Sequence, residues 1–190
     1  MPTEQQGALL LRLARQAIEE KLGIVSGSPV DESQLTDAAL QAKQGVFVTL
    51  KIGANLRGCI GSLRATESIV DGVRRHAVNA AFHDQRFPPL TAAELKKVRI
   101  GISILSPAVR AEYDSPEELL DDLARERPGV ILQGKGGTGA TFLPQVWEQL
   151  PDPRLFLSQL SLKAGLPDMA WRAPNIDILT YTVQSFTEDR

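Results

Sequence analysis

Residues 46–63 read VFVTLKIGANLRGCIGSL. Val46, Val48, Leu50 and Ile52 alternate with Phe47, Thr49 and Lys51, the period-two pattern of a strand with one well-buried face. Gly53-Ala54-Asn55 supplies a turn, so Leu56 to Leu63 reads as the returning arm of a hairpin. On this reading Cys59, the one cysteine of the chain, lies on or just after a strand, two residues beyond Arg57 and close to the helix that follows.

Helical spacing flanks the hairpin. Leu9, Leu10, Leu13, Ala14, Ala17, Ile18 and Leu22 form an apolar stripe over residues 5–22 that Gly23 ends; residues 24–36 read as a loop, and a helical turn follows at 37–42. Beyond the hairpin, a helix over 67–81 opens at Thr66 or Glu67 and turns Ile69, Val70, Val73 and Ala77 inward. Thr91-Ala-Ala-Glu94 matches a capping box ahead of a short helix, and Arg99 to Leu105 alternates as a second strand. Ser115-Pro116-Glu117-Glu118 combines an N-cap with proline at the first helical position and predicts a helix to about Glu126. Gly129 to Gln133 is a third strand, 134–139 a turn, Thr141 to Leu143 a returning arm, 145–164 a proline-punctuated helical region, and Ile178 to Phe186 one closing strand. Strands and helices mix without strict alternation. The expectation is an α+β fold, a largely antiparallel sheet flanked by helices, in a single domain over 1–190 with room for a smaller second lobe.

Bulk properties narrow the function. With 21 basic against 23 acidic residues, net charge −2, the chain lacks the broad cationic field of a protein held mainly by nucleic-acid phosphates. One cysteine forbids an internal disulfide, and the apolar run Ala8 to Leu11 is too short for a signal-peptide core. No stretch approaches the roughly 18 apolar residues of a membrane span, so a cytoplasmic protein without membrane or nucleic-acid partners is expected.

Several stretches are candidates for chemistry. The loop Gly134-Lys135-Gly136-Gly137-Thr138-Gly139-Ala140-Thr141 nearly fits a phosphate-binding loop, but Ala140 stands where lysine is required and strand-like residues follow where a helix is needed. His76 and His83 lack a third His or Cys nearby, and neither a metal nor a cofactor is expected. A Cys59, His83, Asp84 triad can be written from residue types alone. In Arg57-Gly58-Cys59-Ile60-Gly61, the glycines allow positive φ or the close approach of another backbone, and positive potential near the sulfur favours the thiolate that acts as nucleophile; a small buried cysteine beside a structural bulge is the alternative. In Phe82-His83-Asp84-Gln85-Arg86-Phe87-Pro88-Pro89-Leu90, Asp84 and Arg86 either pair with each other or face a ligand.

Three sets of residues in order, Leu-Arg-Gly-Cys-Ile-Gly at 56–61, Asp84 to Leu90, and Leu143-Pro144-Gln145-Val146 followed by Leu162 to Leu166 and Trp171, resemble the AmmeMemoRadiSam system protein A family, the AMMECR-type domain, from about residue 8 to residue 186. The resemblance implies a two-lobed α+β protein with a groove near the first motif, no settled biochemical activity, and Memo-like and radical-SAM proteins as partners. It also implies the site residues Arg57, Gly58, Cys59, Gly61, Asp84 and Arg86. The expected roles are Cys59 as nucleophile or reactive thiol, Asp84 to orient an arginine or move a proton, and Arg57, Gly58, Gly61 and Arg86 to bind a small anionic metabolite or modified peptide group. His83 falls outside the family pattern. A non-catalytic adaptor docking those partners through the same surface is the competing expectation.

Overall fold

The computed structural model describes residues 1–25 and 28–189. The chain forms two compact units, one made of residues 1–106 with the C-terminal segment from Gln184, the other of residues 107–183.

In the first unit, helix α1 (Glu4–Lys21) starts at a capping box between Thr3 and Gln6 and buries Leu10, Leu13, Ala14 and Ile18 of the expected stripe, with Leu9, Ala17 and Leu22 partly buried. Of the loop expected over 24–36, residues 26 and 27 lie outside the described residues, and Glu32–Leu35 form a 3-10 turn capped by Asp31. After α2 (Ala38–Gln41), strands β1 (Gly45–Ile52) and β2 (Asn55–Ser62) form the antiparallel hairpin, turning through Gly53 at φ +60°. Helix α3 (Ile69–Phe82) begins one step later than expected: Ser68, not Thr66 or Glu67, is the N-cap, its hydroxyl accepting from the Asp71 amide. The capping box at Thr91 and Glu94 opens α4 (Ala92–Leu95), and β3 (Val98–Leu105) pairs with β1.

The sheet order is β2-β1-β3-β8, with β8 (Val183–Thr187) at the far edge. Val46, Val48 and Leu50 of β1 and Ile100, Ile102 and Ile104 of β3 are buried in one core with the inner stripes of α1 and α3. The other face carries Thr49, Cys59 and Gly101 in one row, because Thr49 is the register partner of both Cys59 and Gly101.

His76, on the buried side of α3, is 3% exposed, and its Nδ1 has no hydrogen-bond partner among the described residues. Burial, reinforced by the Arg75 charge and opposed by Glu67, holds its pKa below the usual histidine value. The folded state therefore favours the neutral ring. Its stability contribution is complete above about pH 6.5 and is lost as pH falls toward the folded value. Replacing His76 with Gln should flatten the decline of the urea midpoint between pH 7 and 5; an unchanged slope would assign that decline elsewhere.

The second unit holds the short strand β4 (Val109–Arg110), helix α5 (Pro116–Glu126), β5 (Gly129–Gln133), β6 (Gly139–Phe142), helix α6 (Pro153–Lys163) and β7 (Asp177–Tyr181), with sheet order β4-β7-β5-β6. Trp147 stacks on Phe156 at 3.8 Å and donates its indole N–H to the Pro128 carbonyl at 2.8 Å. The glycine loop is the turn of the β5–β6 hairpin, leading into a strand and not a helix.

The expected α+β fold of largely antiparallel strands flanked by helices is present, its strands divided into two four-stranded sheets, one per unit. One further expectation is corrected. The single closing strand Ile178 to Phe186 is two strands, β7 and β8, divided at Thr182 and belonging to different sheets.

Candidate functional site

Cys59 lies on β2, an edge strand. It pairs with Thr49 on β1, and the two side chains meet on the outer sheet face, Sγ 3.3 Å from the Thr49 Oγ1. Its backbone N–H and C=O point away from β1 and are held by the loop after α3. The N–H donates to Asp84 Oδ2 at 2.8 Å, and the carbonyl accepts from Arg86 Nη2 at 3.2 Å. Asp84 and Arg86 thus stand where a neighbouring strand would, closing the exposed edge at one residue.

Asp84 is 5% exposed, and both of its oxygens are occupied: Oδ1 accepts from the Arg86 amide at 3.1 Å and Nε at 2.9 Å, and Oδ2 accepts from Arg86 Nη2 at 2.7 Å besides Cys59. The Arg86 side-chain bonds, then the Cys59 and Arg86 amides, hold the carboxyl far below the usual carboxylate range against the opposing effect of burial. Such a carboxylate positions its neighbours and is poorly placed to exchange a proton at neutral pH. The same pairing keeps Arg86 charged, with the nearby Cys59 sulfur acting in the same direction. The Arg86 side chain remains 56% exposed, and its Nη1 has no partner among the described residues.

Arg57 has a different setting. The β1–β2 register slips between Leu50, opposite Gly58, and Lys51, opposite Leu56, which makes Arg57 the extra residue of a β-bulge. The bulge turns its side chain inward, where Nε donates to Glu94 Oε1 at 2.9 Å, and Nη2 to Glu94 Oε2 at 3.2 Å and the Pro88 carbonyl at 3.0 Å. The Phe87 ring lies between the two arginines, 5.8 Å from the Arg57 guanidinium and 5.6 Å from that of Arg86. Arg57 therefore anchors the 84–90 loop from beneath.

Gly58 and Gly61 keep negative φ, so the positive-φ reason for them is corrected; close approach is what they supply. A methyl on Gly58 would overlap the Ala80 carbonyl oxygen of α3, and one on Gly61 would overlap the Phe47 ring and the Val46 carbonyl. The Cys59, His83, Asp84 triad does not form. Asp84 is saturated by Arg86 and the Cys59 amide, and His83 is the exposed C-cap of α3.

The structure thus gathers Cys59, Asp84 and Arg86, and seats Arg57, Gly58 and Gly61 as their supports. Sequence reasoning missed Glu94 and Thr49 as members of the cluster. Glu94 was visible only as a capping residue, and the place of Thr49 follows from a hairpin register that the bulge at Arg57 shifts. No group of three or more His, Cys, Asp or Glu side chains is assembled for a metal among the described residues, and no helix among them is long and apolar enough to cross a membrane.

The AMMECR1 family model matches residues 11–186. Protein MK0488 of Methanopyrus kandleri is 36% identical over 195 residues, covering 98% of this chain and 90% of that protein. A protein of Thermofilum pendens is 37% identical over 195 residues, with 97% and 90% coverage. Among solved structures, the crystal structure of uncharacterized protein PH0010 from Pyrococcus horikoshii matches with a TM-score of 0.81 at 32% identity, covering 98% of this chain and 93% of that one.

Proposed function

The chain belongs to the AMMECR1 family, and on that premise we propose that the Cys59–Arg86 cluster binds a small anionic group with the thiol in reach of it. The observation that carries this reading is the tie between Arg86 and the Cys59 carbonyl, which fixes an accessible guanidinium beside the residue that bears the half-buried sulfur. Nη1 supplies a directed donor for a carboxylate or phosphate oxygen. Asp84 balances the guanidinium charge, so recognition rests on directed N–H groups more than on a net field. Arg57 and Glu94 hold the loop that presents Arg86. Once ionised, the sulfur is the group of this cluster able to act as a nucleophile. Asp84 positions both partners without moving a proton.

A thermal-shift panel of small carboxylates and phosphates, run on wild type, Cys59→Ser and Arg86→Gln, tests the proposal. A bound anion should raise the wild-type melting temperature by several degrees at saturating concentration. The shift should vanish in Arg86→Gln and shrink in Cys59→Ser. A panel without effect, or a shift that survives in both variants, would overturn the reading.

The adaptor reading has one observation in its favour. Leu56, which opens the motif, and Leu63, just past the end of β2, are 39% and 37% exposed. A Memo-like or radical-SAM protein is the proposed partner. Capture of such a purified partner that Leu63→Asp and Arg86→Ala both abolish, with no anion altering the melting temperature, would favour docking over ligand binding.

A further inference from the structure

The sheet of the first unit has two edges, and they are treated differently. At β2 the outward backbone groups of Cys59 are covered by Asp84 and Arg86. At β8, Glu188 donates its N–H to the Ile100 carbonyl and the Ser103 and Ser185 hydroxyls meet at 3.2 Å, so β8 runs antiparallel to β3 with Ile100 opposite Glu188. By the alternation of an antiparallel ladder, Ser185 and Thr187 then turn their N–H and C=O groups to the free side. Both residues are exposed, and no charged pair covers these groups among the described residues.

Helix α1 runs beside this edge. Gly7 sits against the Phe186 ring, and further along Arg15 grips Glu188, with Nη2 to Oε2 at 2.6 Å and Nε to Oε1 at 2.7 Å. Between helix and strand lies a cleft of about 430 Å³ whose helical wall includes Glu4, Ala8 and Arg12. All three are exposed and form one ridge at i, i+4 and i+8. Glu4 and Arg12 lie about 12 Å apart along the axis with the small Ala8 midway.

We infer that the β8 edge and the α1 ridge form a homodimer interface, the second copy docking antiparallel about a twofold axis that passes near Ala8 and Phe186. The charge pattern is self-complementary under that operation: Glu4 meets the partner's Arg12, and Arg12 meets the partner's Glu4. Ala8 lets the two helices approach closely at the axis. Ser185 comes opposite the partner's Thr187, and these residues exchange the backbone hydrogen bonds that each edge lacks, joining two four-stranded sheets into one of eight. Arg15, satisfied by Glu188, holds the end of β8 flat for the pairing.

Sedimentation equilibrium of the full chain tests the interface. Wild type should sediment at twice its 20.7 kDa mass at micromolar concentration. Ala8→Arg and Glu4→Arg should each raise the dissociation constant at least about tenfold, since each change is felt twice across the axis. The double variant Glu4→Arg/Arg12→Glu restores both ion pairs with their signs exchanged and should recover most of the lost affinity. Circular dichroism melts confirm that each variant is folded. A monomeric wild type at about 200 µM, a dimer indifferent to either single variant, or a double variant no tighter than Glu4→Arg would overturn the inference.

Discussion

Gly58→Ala should destabilise the first unit by about 3 kcal/mol, a large effect for a single methyl group. The added carbon would overlap the Ala80 carbonyl oxygen, which is backbone and cannot rotate away as a side chain does. Relief requires α3 to lift from the hairpin or β2 to bend. Either movement is resisted, because the end of α3 is tied to the loop by Leu90 N–H donating to the Ala81 carbonyl, and β2 is tied to the same loop through Cys59, Asp84 and Arg86. Gly53→Ala is the informative control: its φ of +60° strains an alanine, but open space surrounds it, so about 1 kcal/mol is expected. Urea unfolding at pH 7 separates the two. A Gly58→Ala midpoint no lower than that of Gly53→Ala would show that β2 and α3 do not rest on each other as described.

Removing the Glu94 carboxylate should cost nearly as much. In Glu94→Ala the guanidinium of Arg57, whose side chain is 9% exposed, would keep only the Pro88 carbonyl as a hydrogen-bond partner, with Nη1 already unpartnered. A stranded buried charge costs roughly 3–5 kcal/mol. The Glu94 side chain is itself 34% exposed, so water can enter beside the vacated position and a loss at or just below the bottom of that range, about 2–3 kcal/mol, is expected. Arg57→Met in the Glu94→Ala background should recover part of the loss by removing the charge. The same pair sets an acid limit. Arg57, then the Thr91 amide, depress the Glu94 pKa from 4.5 to about 2, so its contribution is complete above about pH 4.5 and is lost as pH falls toward 2. Glu94→Gln should remove that part of the acid dependence.

The hairpin was legible because one face of β1 is buried and the other is not, which writes a period of two into Val46 to Ile52. The start of α3 was misplaced because Thr66, Glu67 and Ser68 all carry capping oxygens, and only tertiary placement selects among them. The closing strand was misread for a related reason. No turn residue interrupts Ile178 to Phe186, so nothing local announces that the chain leaves one sheet at Tyr181 and joins another at Val183. Cys59, Asp84 and Arg86 could be named from sequence because two short stretches concentrate them. Glu94 could not, since its capping role explained it fully, and its ion pair with Arg57 spans 37 positions. The glycines were legible as constrained positions. Which constraint applied depended on Ala80 and Phe47, residues that only the fold brings to them.

The central claim is that the Cys59 sulfur reacts from the folded state under the influence of the Arg86 guanidinium. The direct measurement compares alkylation rates of Cys59 by anionic iodoacetate and neutral iodoacetamide in wild type and Arg86→Gln. The predicted result is a folded wild-type thiol that both reagents modify, with a rate ratio favouring iodoacetate that falls by several-fold in Arg86→Gln. A thiol inert to both reagents until the protein unfolds, or a ratio identical in the two proteins, would contradict it.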